Sequence, residues 1–195
     1  MAPPRKHDTD QILDAARALV LREGPRSASV DAIARESGAP VGTLYHRFGN
    51  RDGVLAAAWL RALERFQLQA LAAAENSDPL EAAVAMAASQ IGFARNQPED
   101  ARLLLTLRRE DLLDADPDDG FRARLDEING PLEMAIGRLT RALKGRRDAR
   151  SSDALTRAVV DLPNAAIRRH GREGHKLPGW LERDVAEAAR RLLSP

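Results

Sequence analysis

Residues 29–55 of the chain read SVDAIARESGAPVGTLYHRFGNRDGVL. Val30, Ile33 and Ala34 recur at helical spacing, which predicts a short helix with one buried face. Gly38 follows where a tight turn needs a residue that tolerates positive φ. Val41, Leu44 and Phe48 then resume the apolar helical spacing and predict a second short helix.

The second of these helices has a cationic outer face. The side chains left to point outward are those of Thr43, His46, Arg47 and, just beyond the helix, Arg51. No Asp or Glu occurs from Gly38 to Arg51, although 30% of the chain is charged with nearly equal signs. An amphipathic, acid-free helix after a glycine turn is typical of a helix-turn-helix DNA reader. The alternative interpretation is an ordinary helical hairpin with a solvated cationic end.

Composition bounds the fold class. With 195 residues the chain is long enough for one or two domains and a sizeable core. Hydrophobic residues make up 44% of it and aromatic residues only 4%, and β-branched residues are few. This mixture favours an all-α fold. The formal net charge is only +1, so any nucleic-acid surface must be local.

Other function classes find little support. The chain has no cysteine and no P-loop, dinucleotide-binding or nucleophile-elbow motif, so we expect no catalytic residues and no cofactor. We expect no metal site either, because the loop from Asp114 lacks the glycine and glutamate of a calcium loop. His170 and His175 do not share a helical face. Without a signal peptide or a membrane span, we expect a cytoplasmic protein.

Helical patterns continue along the chain. The first predicted helix is capped by Asp8 and stopped by Gly24-Pro25, and Ser29 caps the next. Asn50 caps a long helix that starts at Arg51 and runs to about residue 74. Further helices are predicted over 79–96, 98–113, 121–143 (kinked or broken at 129–131), 155–170 (bent by Pro163) and 180–193, with a basic loop over 144–152. We predict domains over residues 1–50 and 51–195.

A family signature occupies the quoted stretch. One register contains Ile33-Ala34, Gly38, Val41-Gly42-Thr43-Leu44-Tyr45, Phe48 and Asn50-Arg51-Asp52. Over about residues 8–60 this pattern resembles the DNA-binding signature of the TetR/AcrR family of transcriptional regulators. The resemblance implies an N-terminal three-helix helix-turn-helix domain. It also implies a larger C-terminal helical domain that dimerises and binds a small effector.

The resemblance also implies a set of DNA-binding residues. These are Ser29, Val41, Thr43, Tyr45, His46, Arg47 and Arg51. We expect Tyr45, Arg47 and Arg51 to hold phosphates, and Ser29 to cap its helix and donate to phosphate.

Recognition of a particular DNA sequence requires contacts between side chains and the edges of the bases. Val41, Thr43 and His46 are the candidates for those contacts. At the N-terminus, Arg5 and Lys6 either enter a minor groove or form a solvated terminus.

Three residues depart from the family pattern. Pro40 replaces the usual serine before the second short helix, which removes a hydroxyl and an N–H while still suiting a helix start. Arg47 stands where histidine is usual and is permanently cationic. Gly49 replaces a common proline. These changes affect the contact set and not the mode of docking.

The C-terminal helices carry apolar residues at core spacing, and core packing is the default interpretation. The family resemblance places an effector pocket among them. The candidate pocket residues are Phe66, Gln90, Phe93, Thr106, Asn129 and Glu133.

The last two helices have a further candidate role. The resemblance makes them a dimer interface, paired as a four-helix bundle across a two-fold axis, and the alternative is internal core. The apolar residues concerned are Leu155, Val159, Leu162, Ala166, Ile167, Leu181, Val185, Ala188 and Leu192.

Together these features predict a homodimeric, ligand-responsive transcriptional regulator that acts as a repressor. It would bind a near-palindromic double-stranded DNA operator until an unidentified small-molecule effector swings the long helix from Arg51. The competing hypothesis is a helical enzyme or small-molecule-sequestering protein that keeps the N-terminal domain as a scaffold. A third is a regulator that responds to a protein or to no ligand.

Overall fold

A computed structural model of the chain describes residues 9–107, 119–145, 148–172 and 176–194. Throughout these ranges the regular structure is helical and no strand occurs, so the predicted all-α fold class is confirmed. A 3₁₀ turn occupies Pro25–Ser27, and a π-helical segment, Arg157–Asp161, joins α8 to α9. The α-helices are α1 (Thr9–Glu23), α2 (Val30–Ser37), α3 (Val41–Phe48), α4 (Arg51–Ala73), α5 (Pro79–Asn96), α6 (Pro98–Thr106), α7 (Asp119–Lys144), α8 (Ala149–Thr156), α9 (Leu162–Arg172) and α10 (Leu181–Leu193).

The first three helices and the start of α4 enclose one hydrophobic core, called here the N-terminal core. Ile12 of α1, Ile33 of α2 and Leu44 of α3 are fully buried in it. Val54 of α4 and Leu103 of α6 complete the core from the other side. Full burial of such a side chain contributes about 1.5–3 kcal/mol, so a few anchors hold α3, which is only eight residues long.

Local signals fix the connection between α2 and α3. The hydroxyl of Ser29 caps α2 and accepts a hydrogen bond from the N–H of Ala32 at 3.2 Å. Gly38 ends α2 with φ 69°, a left-handed conformation that disfavours a side chain. Pro40 is the N-cap of α3, and its side chain makes no capping hydrogen bond.

A glycine in the first turn of α4 lets that helix start directly against the end of α3. Asn50 caps α4, with its Oδ1 accepting from the N–H of Gly53 at 2.8 Å. A Cβ on Gly53 would overlap the carbonyl oxygen of Phe48, the last residue of α3. The close approach of the two helices therefore depends on glycine at position 53.

α4 runs through both halves of the molecule. Residues as far as Ala62 belong to the N-terminal core, whereas Phe66 and Ala74 pack into a second, C-terminal core. The C-terminal core is organised around α5, which packs against α4 and α10. The domain boundary expected between residues 50 and 51 stays a prediction. The N-terminal core itself extends past residue 50 into α4, as far as Ala62.

Helix α6 is shorter than its sequence pattern predicts. It ends at Thr106 rather than near residue 113, and residues 108–118 lie outside the described part of the chain. Leu107 is extended, and its carbonyl accepts a hydrogen bond from the indole N–H of Trp59 at 3.1 Å. The indole of Trp59 on α4 thus donates to a carbonyl just beyond the end of α6.

Two other boundaries also differ from expectation. α7 continues through Pro131, so a break there is wrong. α8 starts at Ala149, inside the predicted basic loop, because Asp148 Oδ1 accepts from the N–H of Ser151 at 2.7 Å and caps the helix. None of the described helices combines the length and the apolar character needed to cross a membrane.

A π-helical segment, Arg157–Asp161, precedes Pro163, and the bend expected at this proline stays a prediction. Proline has no N–H, so the carbonyl of Val159, four residues earlier, has no intrahelical donor from position 163. The side-chain amide of Gln90 on α5 donates to that carbonyl instead. π-Helical turns inside α-helices are frequent at functional sites.

Most of the face expected to form a dimer interface is internal. Its larger residues are buried in the C-terminal core of the same chain, as the alternative interpretation held; these are Leu155, Val159, Ile167, Leu181 and Val185. Leu192 is 57% exposed, and Leu162, Ala166 and Ala188 are partly exposed. Apolar residues at helical spacing look alike whether they face their own core or a second subunit.

Two helical glycines provide a matched test of the α3–α4 junction. Gly53→Ala should destabilise the fold by about 1–3 kcal/mol, because the new methyl overlaps the carbonyl of Phe48. Gly42→Ala, at a position with open space around it, should be neutral or stabilising by up to about 1 kcal/mol. Urea unfolding of both variants measures the difference, and equal effects would contradict the close approach.

Candidate nucleic-acid interface and effector cavity

The outer face of α3 is polar and open, and its inner face is anchored. Leu44 is fully buried, and Phe48 packs on the N-terminal core beside it. Tyr45 is 52% exposed despite its large ring. The other predicted contact residues of this helix are exposed or half-exposed; they are Val41, Thr43, His46 and Arg47.

Arg51 does not point outward as predicted. Its Nε donates to the carbonyl of Ala28 at 3.1 Å, and its other guanidinium N–H groups donate to the carbonyl of Pro25 and to Asp52. The side chain therefore ties the start of α4 to the turn that precedes α2. A sequence position alone does not give the direction of a long side chain. Contact of Arg51 with phosphate stays a prediction.

Arg47 connects the end of α3 to the start of α1. Its Nη1 donates to the hydroxyl of Thr9 at 3.0 Å. Thr9 is the first described residue, so Arg5, Lys6 and the predicted cap Asp8 lie outside the described part of the chain. The first described residue of α1 therefore lies beside α3.

A buried carboxylate joins three helices where the two cores meet. Asp100 of α6 is only 2% exposed and accepts hydrogen bonds from Arg17 of α1 and Arg65 of α4, the second at 2.9 Å. Arg17 also pairs with the exposed Glu99 at 2.8 Å. The group Asp100, Arg17 and Arg65 is called here the junction triad.

A second ion pair supports the same contact. Arg61 of α4 pairs with Asp10 at 2.6 Å and with Asp14 at 2.5 Å, both on α1. The side chain of Arg61 is 12% exposed, so these contacts are partly shielded from solvent. Ion pairs thus connect α1 both to α4, through Arg61, and to α6, through Arg17.

Burial and pairing act in opposite directions on the junction triad. Burial alone would raise the pKa of the Asp100 carboxyl, because the charged form loses hydration. The hydrogen bonds from Arg65 and Arg17 outweigh that effect and hold the pKa of Asp100 below its ordinary value. The same pairing raises the pKa of Arg17 although burial acts to lower it.

A cavity of about 160 Å³ lies between α4, α5, α6 and α9. One of its lining residues, Ala101, directly follows Asp100 of the junction triad in the sequence. Most of its wall is apolar, and Phe66 and Phe93 meet there edge to face with ring centroids 5.5 Å apart. The polar lining residues are Gln90, Asn164 and Arg168. The apolar ones include Trp59, Leu63, Ala101, Leu104, Leu105 and Ile167.

The predicted pocket residues divide into two groups. Phe66, Gln90 and Phe93 line the cavity. Thr106 and Glu133 are exposed to solvent away from it, and Asn129 accepts a hydrogen bond from the amide of Gln67 at 2.8 Å in the α4–α7 contact. Helical periodicity places a residue on a face but does not separate a cavity from a packed core. Binding of a ligand in the cavity stays a prediction.

Sequence reasoning missed Asp100, although a signal existed. Leu103, Leu104 and Leu107 follow it at helical spacing, so the carboxylate occupies a position on the apolar face of α6. A charge at such a position requires a buried partner. Asn164 and Arg168 were also missed; they stand four residues apart on one face of α9.

Comparison with known proteins agrees with this geometry. The regular structure of the described residues is helical, and a helix-turn-helix in the first domain is the fold of a class of DNA-binding proteins. Residues 12–58 match the model of the family described as "Bacterial regulatory proteins, tetR family". Over these residues the chain matches the family that its sequence resembles, so the resemblance is confirmed for the N-terminal domain. None of the curated proteins matches the chain.

Solved structures share the fold over almost the whole chain. The fatty acid degradation regulator FadR from Bacillus halodurans is 18% identical with a TM-score of 0.72, over 94% of this chain and 98% of that one. FadR from Bacillus subtilis, in complex with stearoyl-CoA, is 15% identical with a TM-score of 0.71, over 96% and 98%. PfmR from Thermus thermophilus is 24% identical with a TM-score of 0.63, over 93% and 96%.

The salt dependence of DNA binding tests the cationic side chains of the interface. Arg47→Ala and Arg51→Ala should each reduce the slope of log K against log salt by about one, because each removes one phosphate contact. Arg51→Ala should also lower stability, since it loses hydrogen bonds to Ala28 and Pro25. Arg183→Ala, an exposed arginine on α10, is the control and should leave the slope unchanged. An unchanged slope in Arg47→Ala would remove that residue from the interface.

The pH dependence of stability tests the junction triad. Asp100→Asn should cost about 3–5 kcal/mol at neutral pH, because two arginines lose their buried partner. The depressed pKa of Asp100 makes this contribution complete above the unfolded value near 4, and it disappears as the pH falls through the lower folded value. Urea unfolding from pH 7 to pH 3 should therefore show the variant and the parent chain converging in acid.

Glu99→Gln is the matched control for that experiment. Glu99 pairs with the same Arg17 but is exposed, so its loss should cost less than about 1 kcal/mol at any pH. Equal effects of the two substitutions would show that burial of the Asp100 carboxylate contributes nothing.

Proposed function

We propose that the chain is a ligand-responsive transcriptional repressor that binds a near-palindromic operator as a homodimer. The observation that carries this proposal is the exposed, acid-free outer face of α3 on a tetR-family N-terminal domain. α3 enters the major groove, which is wide enough for a helix and displays a different pattern for each base pair.

The proposed DNA contacts of the outer face of α3 have two different roles. Tyr45 and Arg47 hold phosphates and set the register of α3, with Ser29 and Arg51 at its borders. Thr43, His46 and Val41 are nearest to the base edges and supply sequence selection. The missing side-chain cap at Pro40 leaves the first N–H groups of α3 available to an anion.

A near-palindromic operator has two half-sites, and a homodimer presents one copy of α3 to each of them. Two copies of α3 must stand about 34–36 Å apart to enter successive major grooves. Leu192 and Trp180 of the C-terminal half are large apolar side chains that the single chain leaves more than half exposed. We assign them to the surface that a second copy covers, in place of the buried residues of α8 and α10.

The response to a ligand depends on α4 and α6. Both helices line the cavity, and both hold α1 through the junction triad. A ligand that prefers one arrangement of these helices changes the spacing of the two DNA-binding domains and so the affinity for the operator. The stearoyl-CoA complex of the B. subtilis neighbour supports a small-molecule effector in this fold.

Selection of bound fragments from genomic DNA tests the proposal directly. Fluorescence anisotropy on a selected fragment should show binding that exceeds binding to random duplex by a factor of about 10³ or more. Thr43→Ala should weaken binding to the selected fragment by about 1–3 kcal/mol and leave binding to random duplex unchanged. Arg47→Ala should weaken both.

A distinct outcome would favour the competing class. If no duplex binds even at low salt, the N-terminal domain serves as a scaffold for an enzyme or a sequestering protein. If Thr43→Ala and Arg47→Ala lose affinity equally for all duplexes, α3 contacts the backbone alone and does not read sequence.

A further inference from the structure

The side chain of Gln90 has one polar atom without a protein partner. Gln90 lines the cavity and is only 3% exposed. Its Nε2 donates to the carbonyl of Val159, for which Pro163, four residues later, supplies no N–H. Its Oε1 is buried and accepts no hydrogen bond from any described residue. Since an unsatisfied buried amide oxygen is destabilising, this atom calls for a donor from a bound molecule.

A cationic side chain also lines this cavity. Arg168 lines the cavity, is exposed to solvent, and forms no ion pair within the part of the chain that the structure describes. The exposed Arg168 lies at the mouth, whereas the buried Gln90 lies in the interior. A guanidinium at the mouth of an apolar space suits a carboxylate, which it can bind through two parallel hydrogen bonds.

The size and lining of the cavity limit the body of the ligand. Its volume of about 160 Å³ is close to the roughly 150 Å³ of an apolar cavity that accepts one benzene ring. Trp59, Phe66 and Phe93 surround the space, and a ligand ring would extend the edge-to-face contact of the two phenylalanines. A long acyl chain exceeds this volume.

We propose that the cavity binds a monocyclic aromatic carboxylic acid that carries a hydroxyl group. The ring occupies the apolar space, the carboxylate pairs with Arg168, and the hydroxyl donates to Oε1 of Gln90. This assignment rests on the proposed function only for its consequence at the operator. Binding itself depends on the cavity and is measured without DNA.

A set of related probes separates the two polar contacts. We would use the full chain with Trp180→Phe, which leaves Trp59 of the cavity wall as the single tryptophan. 4-Hydroxyphenylacetate should change the fluorescence of Trp59 with saturation. Phenylacetate lacks the hydroxyl and 2-(4-hydroxyphenyl)ethanol lacks the carboxylate, and each should bind about ten-fold more weakly. Decanoate should bind more weakly still.

Two neighbouring arginines provide the protein-side test. Arg168→Gln should weaken 4-hydroxyphenylacetate about ten-fold and leave the affinity for the alcohol unchanged, because only the acid has a charge to pair. Arg169→Gln is the control: Arg169 is exposed and does not line the cavity, so both affinities should stay at the parent value. These substitutions alter surface side chains, and circular dichroism confirms that the fold is retained.

Several results would overturn the assignment. They are the absence of saturable binding by 4-hydroxyphenylacetate, equal binding of the acid and the alcohol, equal effects of Arg168→Gln and Arg169→Gln, and tighter binding of decanoate. Binding that follows the expected pattern, without release of a selected DNA fragment from the parent chain that retains Trp180, would support the ligand class and contradict the proposed regulatory response. The two proposals therefore fail separately.

Discussion

The carboxylate of Asp100 is the contact on which the arrangement of the two cores depends. It is buried, and it accepts from one arginine of α1 and one of α4, so the loss of either partner weakens the pairing of a charge in a poorly solvated place. The short helix that carries it also supplies Leu103 to the N-terminal core and Leu104 to the cavity wall. α6 therefore contacts both the N-terminal core and the wall of the cavity.

The candidate DNA-binding surface is built on a helix that could not stand alone. An isolated helix of eight residues is unstable in water, so α3 exists because its surroundings hold it. Leu44 and Phe48 anchor its inner face, Arg47 binds the hydroxyl of Thr9, and Gly53 lets α4 abut its last residue. The side chains proposed to meet DNA are presented on a rigid frame, which lowers the entropic cost of binding.

The N-terminal domain could be predicted in detail because its signals are local. Ser29 as a cap, Gly38 at positive φ and the burial of Leu44 each follow from a few neighbouring residues, and all three are found. The direction of Arg51 could not be predicted, since it depends on carbonyls more than twenty positions earlier in the chain. The cavity was located only in part, because helical spacing cannot distinguish a packed face from an open one.

The same limit explains why most residues expected at the dimer interface are instead buried in the core of their own chain. Leu155 and Val185 have the spacing of an interface but pack into their own core, and Leu192 on the same helix as Val185 remains exposed. Charged residues on apolar faces were the more informative signal, as Asp100 shows. A charged residue at such a position is expected to be buried and to need an oppositely charged partner. That partner comes from a helix distant in the chain, which the sequence alone does not identify.

Hydroxyl-radical footprinting of the chain on a fragment selected from genomic DNA tests the central claim most directly. The account predicts two protected patches on one face of the duplex, separated by one helical turn or a whole multiple of it, as a dimer with two copies of α3 requires. Uniform protection along the fragment, or no protection at a salt concentration near 50 mM where phosphate contacts are strong, would contradict it.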